Sequence, residues 1–116
     1  MAGKLDAIFT TDVIEALENF MARKRPAEEI RDQLDLDYRI EGQNVYIFEV
    51  RPQWDDKSKI MHMDVAKTTY VKSKDNWKVY WMRGNLKWYP YDPATADTLE
   101  QFIDMVDKDR HGCFFG

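Results

Sequence analysis

A chain of 116 residues that is 44% hydrophobic, 14% aromatic and 33% charged has enough apolar side chains for one core and too many to remain disordered. Its net charge of −4 opposes binding to polyanions in general, so contact with nucleic acid or an acidic membrane surface requires a local basic patch. The single cysteine, Cys113, excludes an internal disulfide, and no apolar run has the length of a membrane span or a signal peptide. The expectation is one domain over residues 1–116, located in the cytoplasm, with no Gly/Ser linker or internal repeat dividing it.

The first element is an amphipathic helix reaching about Lys24. Val13, Ile14, Leu17, Phe20 and Met21 recur at helical spacing, and Leu5, Ile8 and Phe9 extend the stripe backwards. Thr11 or Asp12 is suited to cap an inner start, Asp12 and Glu15 having capping-box spacing. Arg23, Lys24 and Arg25 suit the negative end of the helix dipole, and Pro26 ends the helix or opens a short turn through Glu28, Glu29 and Ile30.

From Leu34 the period becomes two. Leu36, Tyr38 and Ile40 alternate with Asp35, Asp37, Arg39 and Glu41, and Gly42-Gln43 forms a two-residue hairpin turn, which pairs Ile40 with Val45 and Tyr38 with Ile47. The second strand is expected to end near Pro52, which has no N–H for a ladder. The stretch "RPQWDDKSKIMHMD" has no sustained period and reads as an ordered connection anchored by Trp54. A third strand spans about 65–72, "SKDN" supplies a turn, and a fourth strand leads through a tight turn at Gly84-Asn85 to a fifth that ends at Pro90.

After the breaker-rich "YDPATAD", Leu99, Phe102, Ile103 and Val106 define a second amphipathic helix, with Asp97 and Glu100 at capping-box spacing. Gly112 suits a helix stop or turn, and Phe114 and Phe115 need an apolar surface to dock on. The predicted class is α+β: a five-stranded antiparallel, meander-like sheet with an N-terminal and a C-terminal helix mainly on one face.

A two-residue turn at Gly84-Asn85 has a further consequence for "WKVYWMRGNLKWYPYDP". It sets Trp81 opposite Trp88 and Tyr80 opposite Tyr89, so Trp77, Val79, Trp81, Leu86 and Trp88 share the core side. Lys78, Tyr80, Met82, Lys87, Tyr89 and Tyr91 then face water, beside Lys67, Thr69 and Val71 of the third strand. Residues 67–91 hold six basic side chains against one acid, a local charge of +5 that leaves −9 on the rest of the chain.

Three kinds of chemistry are conceivable for these residues. Tyr80, Tyr89 and Tyr91 with the neighbouring lysines resemble a base-stacking platform, although no RNP-like motif or Arg-rich loop accompanies them. His62, Asp64, His111 and Cys113 are metal-ligating types, but His-x-Asp and His-x-Cys recur by chance and a cysteine beside phenylalanines is commonly a packing residue. Asp55 and Asp56 are adjacent carboxylates in a turn-like context, and Cys113 with a histidine lacks a third member for nucleophilic catalysis. No P-loop, G-x-G-x-x-G, G-x-S-x-G or H-E-x-x-H occurs.

The stretches "IRDQLDLDYRIEGQNVYIFEVRPQWDD", "VAKTTYVKSKDNWKVYWMRGNLKWYPYDP" and "VDKDRHGCFFG" together resemble a family of small bacterial proteins described as a domain of unknown function. Its distinctive parts are the RPxWDD, WKxYW and HGCFxG patterns. The resemblance implies a stand-alone bacterial domain and carries no catalytic residue, cofactor or partner with it. The leading expectation is a non-enzymatic protein-binding or adaptor domain without a cofactor, whose partner is another protein or a second copy. Its candidate surface comprises Lys67, Lys78, Tyr80, Lys87, Tyr89 and Tyr91, with Arg51, Trp54 and Asp55 adjoining. Single-stranded nucleic-acid binding on the tyrosine and lysine face, and a small metal-dependent enzyme using His62, Asp64, His111 and Cys113, stand as alternatives.

Overall fold

The computed structural model describes residues 7–115, in which a helix α1 (Ala7–Lys24) leads through a 3-10 turn at Glu28–Ile30 into the sheet. Val13, Leu17, Phe20 and Met21 are buried, as the helical stripe requires, whereas Ile14 lies off its centre and stays 40% exposed. Thr11 and Asp12 fall inside α1 and not at its start, because the helix is already formed at Ala7. Leu5 and the side chain of Ile8 lie outside what is described. Lys24 reaches Asp107 at 3.2 Å, and Arg25, just past the helix, donates to both carboxylate oxygens of Asp35.

Five strands follow: β1 (Asp35–Glu41), β2 (Asn44–Gln53), β3 (Asp56–Val71), β4 (Asn76–Met82) and β5 (Trp88–Ala96), before α2 (Leu99–Lys108). They form one antiparallel sheet in the order β1-β2-β3-β4-β5, so the fold is the α+β meander expected from the element order. Ile40 pairs with Val45 and Tyr38 with Ile47, and Gly42 takes the positive φ of 62° that the β1–β2 turn demands.

Both helices cover one face of the sheet. Val13, Leu17 and Phe20 of α1 and Leu99, Phe102, Ile103 and Val106 of α2 meet Leu36, Val45, Ile47, Ala66, Trp77, Val79 and Ala96 in one core. Thr68, fully buried in that layer, satisfies its hydroxyl by donating to the Lys78 carbonyl at 2.7 Å. Phe114 docks into the same core at 5% exposure, and Phe115 packs half-buried at its margin.

The structure corrects the sequence reading in four further places. The stretch 51–64 is not a connection but the far half of a long hairpin: β2 continues through Pro52 to Gln53, and β3 starts at Asp56. Proline is tolerated there because β1 has already ended opposite Val50, so no ladder on that side needs its N–H. Trp54 sits at the hairpin tip, 89% exposed, and anchors nothing.

The fifth strand likewise runs on past Pro90 and Pro93 to Ala96, since an edge strand accommodates proline; the Asp92-Pro93 peptide is cis. The cap of α2 is Thr98 rather than Asp97. Its hydroxyl accepts from Gln101 N at 3.2 Å, while the Gln101 side chain accepts from Asp97 N at 2.8 Å.

The fourth correction concerns the β4–β5 turn. Arg83 N donates to Lys87 O, Leu86 N donates to Arg83 O, and Leu86 takes a φ of 62°, so the loop is one residue longer than Gly84-Asn85. Trp81 therefore faces Tyr89 and Met82 faces Trp88. A slip of one residue turns every following side chain over. Trp88 is consequently on the uncovered face, Leu86 is 75% exposed in the turn, and Tyr91 is buried at 5% against the Phe114 ring.

Candidate functional site

With both helices on one face, the opposite face of the sheet is left without a covering layer among the described residues. A single cross-strand row runs over it: Arg39 of β1, Tyr46 of β2, Lys67 of β3, Tyr80 of β4 and Pro90 of β5 are successive partners. Side chains on one face of neighbouring strands touch, so cations and rings alternate in contact along this row. The Arg39 guanidinium lies 4.0 Å from the Tyr46 ring centroid, and the Lys67 ammonium lies 5.7, 5.2 and 5.9 Å from Tyr46, Tyr80 and Trp88. All four are cation–π distances.

The row is electrostatically closed at its β1 end. Arg39 donates to both oxygens of Asp64, at 2.6 and 3.1 Å, and pairs with Glu41. Those hydrogen bonds, above all the one to Asp64, push the Arg39 pKa further up. The Tyr46 phenol is raised as well, first by burial and then by the Glu41 charge. Below this row Phe48, almost fully buried although outside the core, stacks on the His62 imidazole at 5.0 Å and lies under Arg39 at 5.6 Å.

The second feature is the arm formed by the distal β2–β3 hairpin. The last β1 pair is Asp35 with Val50 and the last β4 pair is Trp81 with Ala66, so beyond these points β2 and β3 have only each other. Residues 57–63 are all exposed in consequence. At the tip Asp56 accepts from Ser58 N and Oγ, and Gln53 donates to Asp55 at 2.6 Å, which organises the turn around Trp54. Ile60 is 57% exposed and Met61 and Met63 about 40%, apolar side chains left in water on the two faces of the arm. Arg51 donates to Glu49 at 2.7 Å, while its Nε is buried without a partner.

These two features gather only part of the residues singled out from sequence. Lys67 and Tyr80 belong to the row, and Lys78 lies on the same face in the next row, between Thr69 and Thr95. Lys87 is exposed in the β4–β5 turn. Tyr89 moves to the Trp81 side, where its hydroxyl accepts from Asn85 at 2.9 Å and Arg83 covers its ring at 4.8 Å. Tyr91 is lost to the core. Arg51, Trp54 and Asp55 are on the arm. Arg39, Tyr46, Phe48, Trp88, Ile60, Met61 and Met63 were not among the candidates. Arg39 and Tyr46 were nevertheless legible, because pairing Ile40 with Val45 places them directly opposite each other.

His62, Asp64, His111 and Cys113 do not converge. His62 rests on Phe48 and Asp64 is taken up by Arg39, whereas a His111 ring nitrogen lies 3.0 Å from the Asp92 carbonyl of β5, two strands away. Burial, then the Asp109 charge, raise the Cys113 thiol pKa, opposite to what a thiolate ligand or nucleophile needs. Among the described residues no group of three or more His, Cys, Asp or Glu is placed to hold a metal ion. A groove of about 500 Å³ between the helices is lined by Asp12, Glu15, Arg23, Glu100 and Asp104, and none of the candidate residues reaches it. No described helix is long and apolar enough to cross a membrane.

Comparison with known proteins finds no matching curated protein and no matching solved structure. A family model described as Domain of unknown function (DUF3024) matches residues 6–116.

Proposed function

Since the chain belongs to the family Domain of unknown function (DUF3024), whose description names no activity, we propose its function from the geometry: a protein-binding domain that engages its partner with the β2–β3 arm and the adjoining open sheet face. The observation that carries this reading is Trp54, 89% exposed at the tip of an arm whose flank presents Ile60, Met61 and Met63. A large ring held out on an ordered turn costs solvation in the free protein and gains about 1.5–3 kcal/mol when a partner buries it, the behaviour of an interface anchor. The bacterial origin that the resemblance implies and action in the cytoplasm belong to the same proposal.

Nucleic-acid binding on the ring row has less support. Of the row's two cations Arg39 is already neutralised by Asp64 and Glu41, and Lys67, still charged, is held against three rings, so the row offers phosphates one charge rather than a basic patch. The test is a comparison of the tagged wild-type chain with a Trp54→Ser, Ile60→Ser variant of unchanged circular dichroism, both purified from the native host. A protein retained by the wild type and depleted from the variant, and binding the purified chain by calorimetry with the same dependence on Trp54, is the expected result. Equal retention of every bound protein by both chains would refute the proposal, and salt-sensitive binding of single-stranded oligonucleotides would point to the nucleic-acid reading.

A further inference from the structure

Building on the reading of the arm as a binding element, we propose that its partner is a second copy of this chain, with the free edge of β3 pairing antiparallel with the same edge of the other molecule. An unpaired strand edge presents N–H and C=O groups that only extended backbone satisfies in full. Proteins therefore protect edges with prolines, charges or coverage, and an edge left unprotected marks a pairing site.

Each of the other edges in this sheet carries such protection. The β5 edge holds Pro90 and Pro93, and the β2 side of the arm holds Pro52. The β1 edge carries a charged side chain at every second position, Asp35, Asp37, Arg39 and Glu41. The β3 side of the arm, residues 56–65, has no neighbour among the described residues and no proline, and its centre Ile60, Met61, His62, Met63 has no carboxylate, lysine or arginine. Its regular part is extended and in register with β2, Ile60 to Asp64 pairing with Pro52 to Phe48, so the edge is already shaped for another strand.

The pattern of side chains along the edge suits a copy, and suits it antiparallel. Lys57 and Lys59 stand at the tip end beside Asp55 and Asp56, and the root-end acids Asp64 and Glu49 are already held by Arg39 and Arg51, so the apolar centre and not a free charge dominates the edge. An antiparallel copy centred on Met61 sets Met61 against Met61, Ile60 against His62 and Lys59 against Met63, so apolar side chains meet and like charges do not; a parallel copy in register would align lysine with lysine. This is also the arrangement a closed two-fold dimer requires, since the same patch serves both molecules. A strand pair with a few flanking side chains is a small interface, so the dimer should dissociate on dilution.

The test is sedimentation equilibrium over a concentration series, on the wild-type chain and on an Ile60→Lys, Met63→Lys variant. Both positions are exposed, so the fold is expected to survive, which circular dichroism checks. The expected result is a reversible monomer–dimer equilibrium weakened about tenfold or more in the variant, because like charges then oppose each other across the ladder. As a second measurement, Met61→Cys in a Cys113→Ser background should form an intermolecular disulfide under mild oxidation, and Lys74→Cys in that background should not. A chain monomeric at every concentration, or a dimer indifferent to the lysines, overturns the inference. A monomeric chain that still binds another protein through Trp54 would overturn this inference and leave the proposed function intact.

Discussion

Arg39 and Asp64 join through two hydrogen bonds, 2.6 and 3.1 Å, that span the width of β2 and clamp β1 to β3. The guanidinium thereby lies over the Tyr46 and Phe48 rings, 4.0 and 5.6 Å from their centroids, so one ion pair positions the cation, the rings and the acid of the open sheet face together. Asp64→Asn should cost about 1 kcal/mol of stability, discounted for partial solvent exposure, and Glu41→Gln, whose carboxylate is more exposed, about half that or less. Urea unfolding of the two variants checks the order; a larger loss from Glu41→Gln would contradict it.

The Arg25–Asp35 pair, at 2.6 and 2.9 Å, ties the end of α1 to the start of β1. The hydrogen bond from Arg25 holds the Asp35 carboxyl below its ordinary value, so its stabilisation is complete above the unfolded value and disappears as pH falls through the lower, folded one. Asp35→Asn should accordingly destabilise by about 0.5–1 kcal/mol at pH 7 and by much less near pH 2. Unfolding midpoints at the two pH values measure this, and a pH-independent penalty would argue against the ion pair as its cause.

Tyr38 behaves with the opposite sign. Burial, followed by its 2.7 Å hydrogen bond to Glu18, pushes the phenol up to about 12. A raised folded pKa stabilises the protein in full below the unfolded value near 10 and loses that contribution as pH rises through about 12. An alkaline titration at 295 nm should lose its latest-ionising phenol in Tyr38→Phe. If an earlier step disappears instead, the contact with Glu18 is not maintained in solution.

Thr98 and Asp97 separate a cap from its neighbour. Thr98→Ala removes the hydroxyl that accepts from Gln101 N and should cost about 1 kcal/mol. Asp97→Ala should cost only a few tenths, because it is the backbone N–H of that residue that Gln101 engages. Equal losses in urea would restore Asp97 as the cap.

The tryptophans of the β4–β5 hairpin should respond unequally. Trp77 is 2% exposed in the core, and Trp77→Ala should cost about 3–5 kcal/mol. Trp88 is half-buried on the open face, and Trp88→Ala should cost about 1–2 kcal/mol through lost ring contacts with Tyr46 and Lys67. Comparable losses would mean that Trp88 has a buried partner in solution. Trp54, by contrast, should be the ring most readily quenched by acrylamide.

Local periodicity and turn chemistry by themselves determined the two helices, the five strands, the α+β class and the β1–β2 register, because each is decided by neighbours in the chain: the stripe of Phe102 and Ile103, the alternation of Tyr38 and Ile40, the positive φ at Gly42. Tertiary structure alone decided what depends on distant neighbours. Pro52 and Pro90 look like strand ends until the adjoining strand is seen to be missing at those positions. The one-residue difference between a Gly84-Asn85 turn and a loop that includes Leu86 exchanged Trp88 for Tyr89 and Tyr91 on the open face, since strand faces alternate with every residue. The arm was invisible for a related reason: residues 57–63 have no buried face in this chain, so nothing imposed the alternation by which a strand is read, and only pairing with β2 reveals them as one.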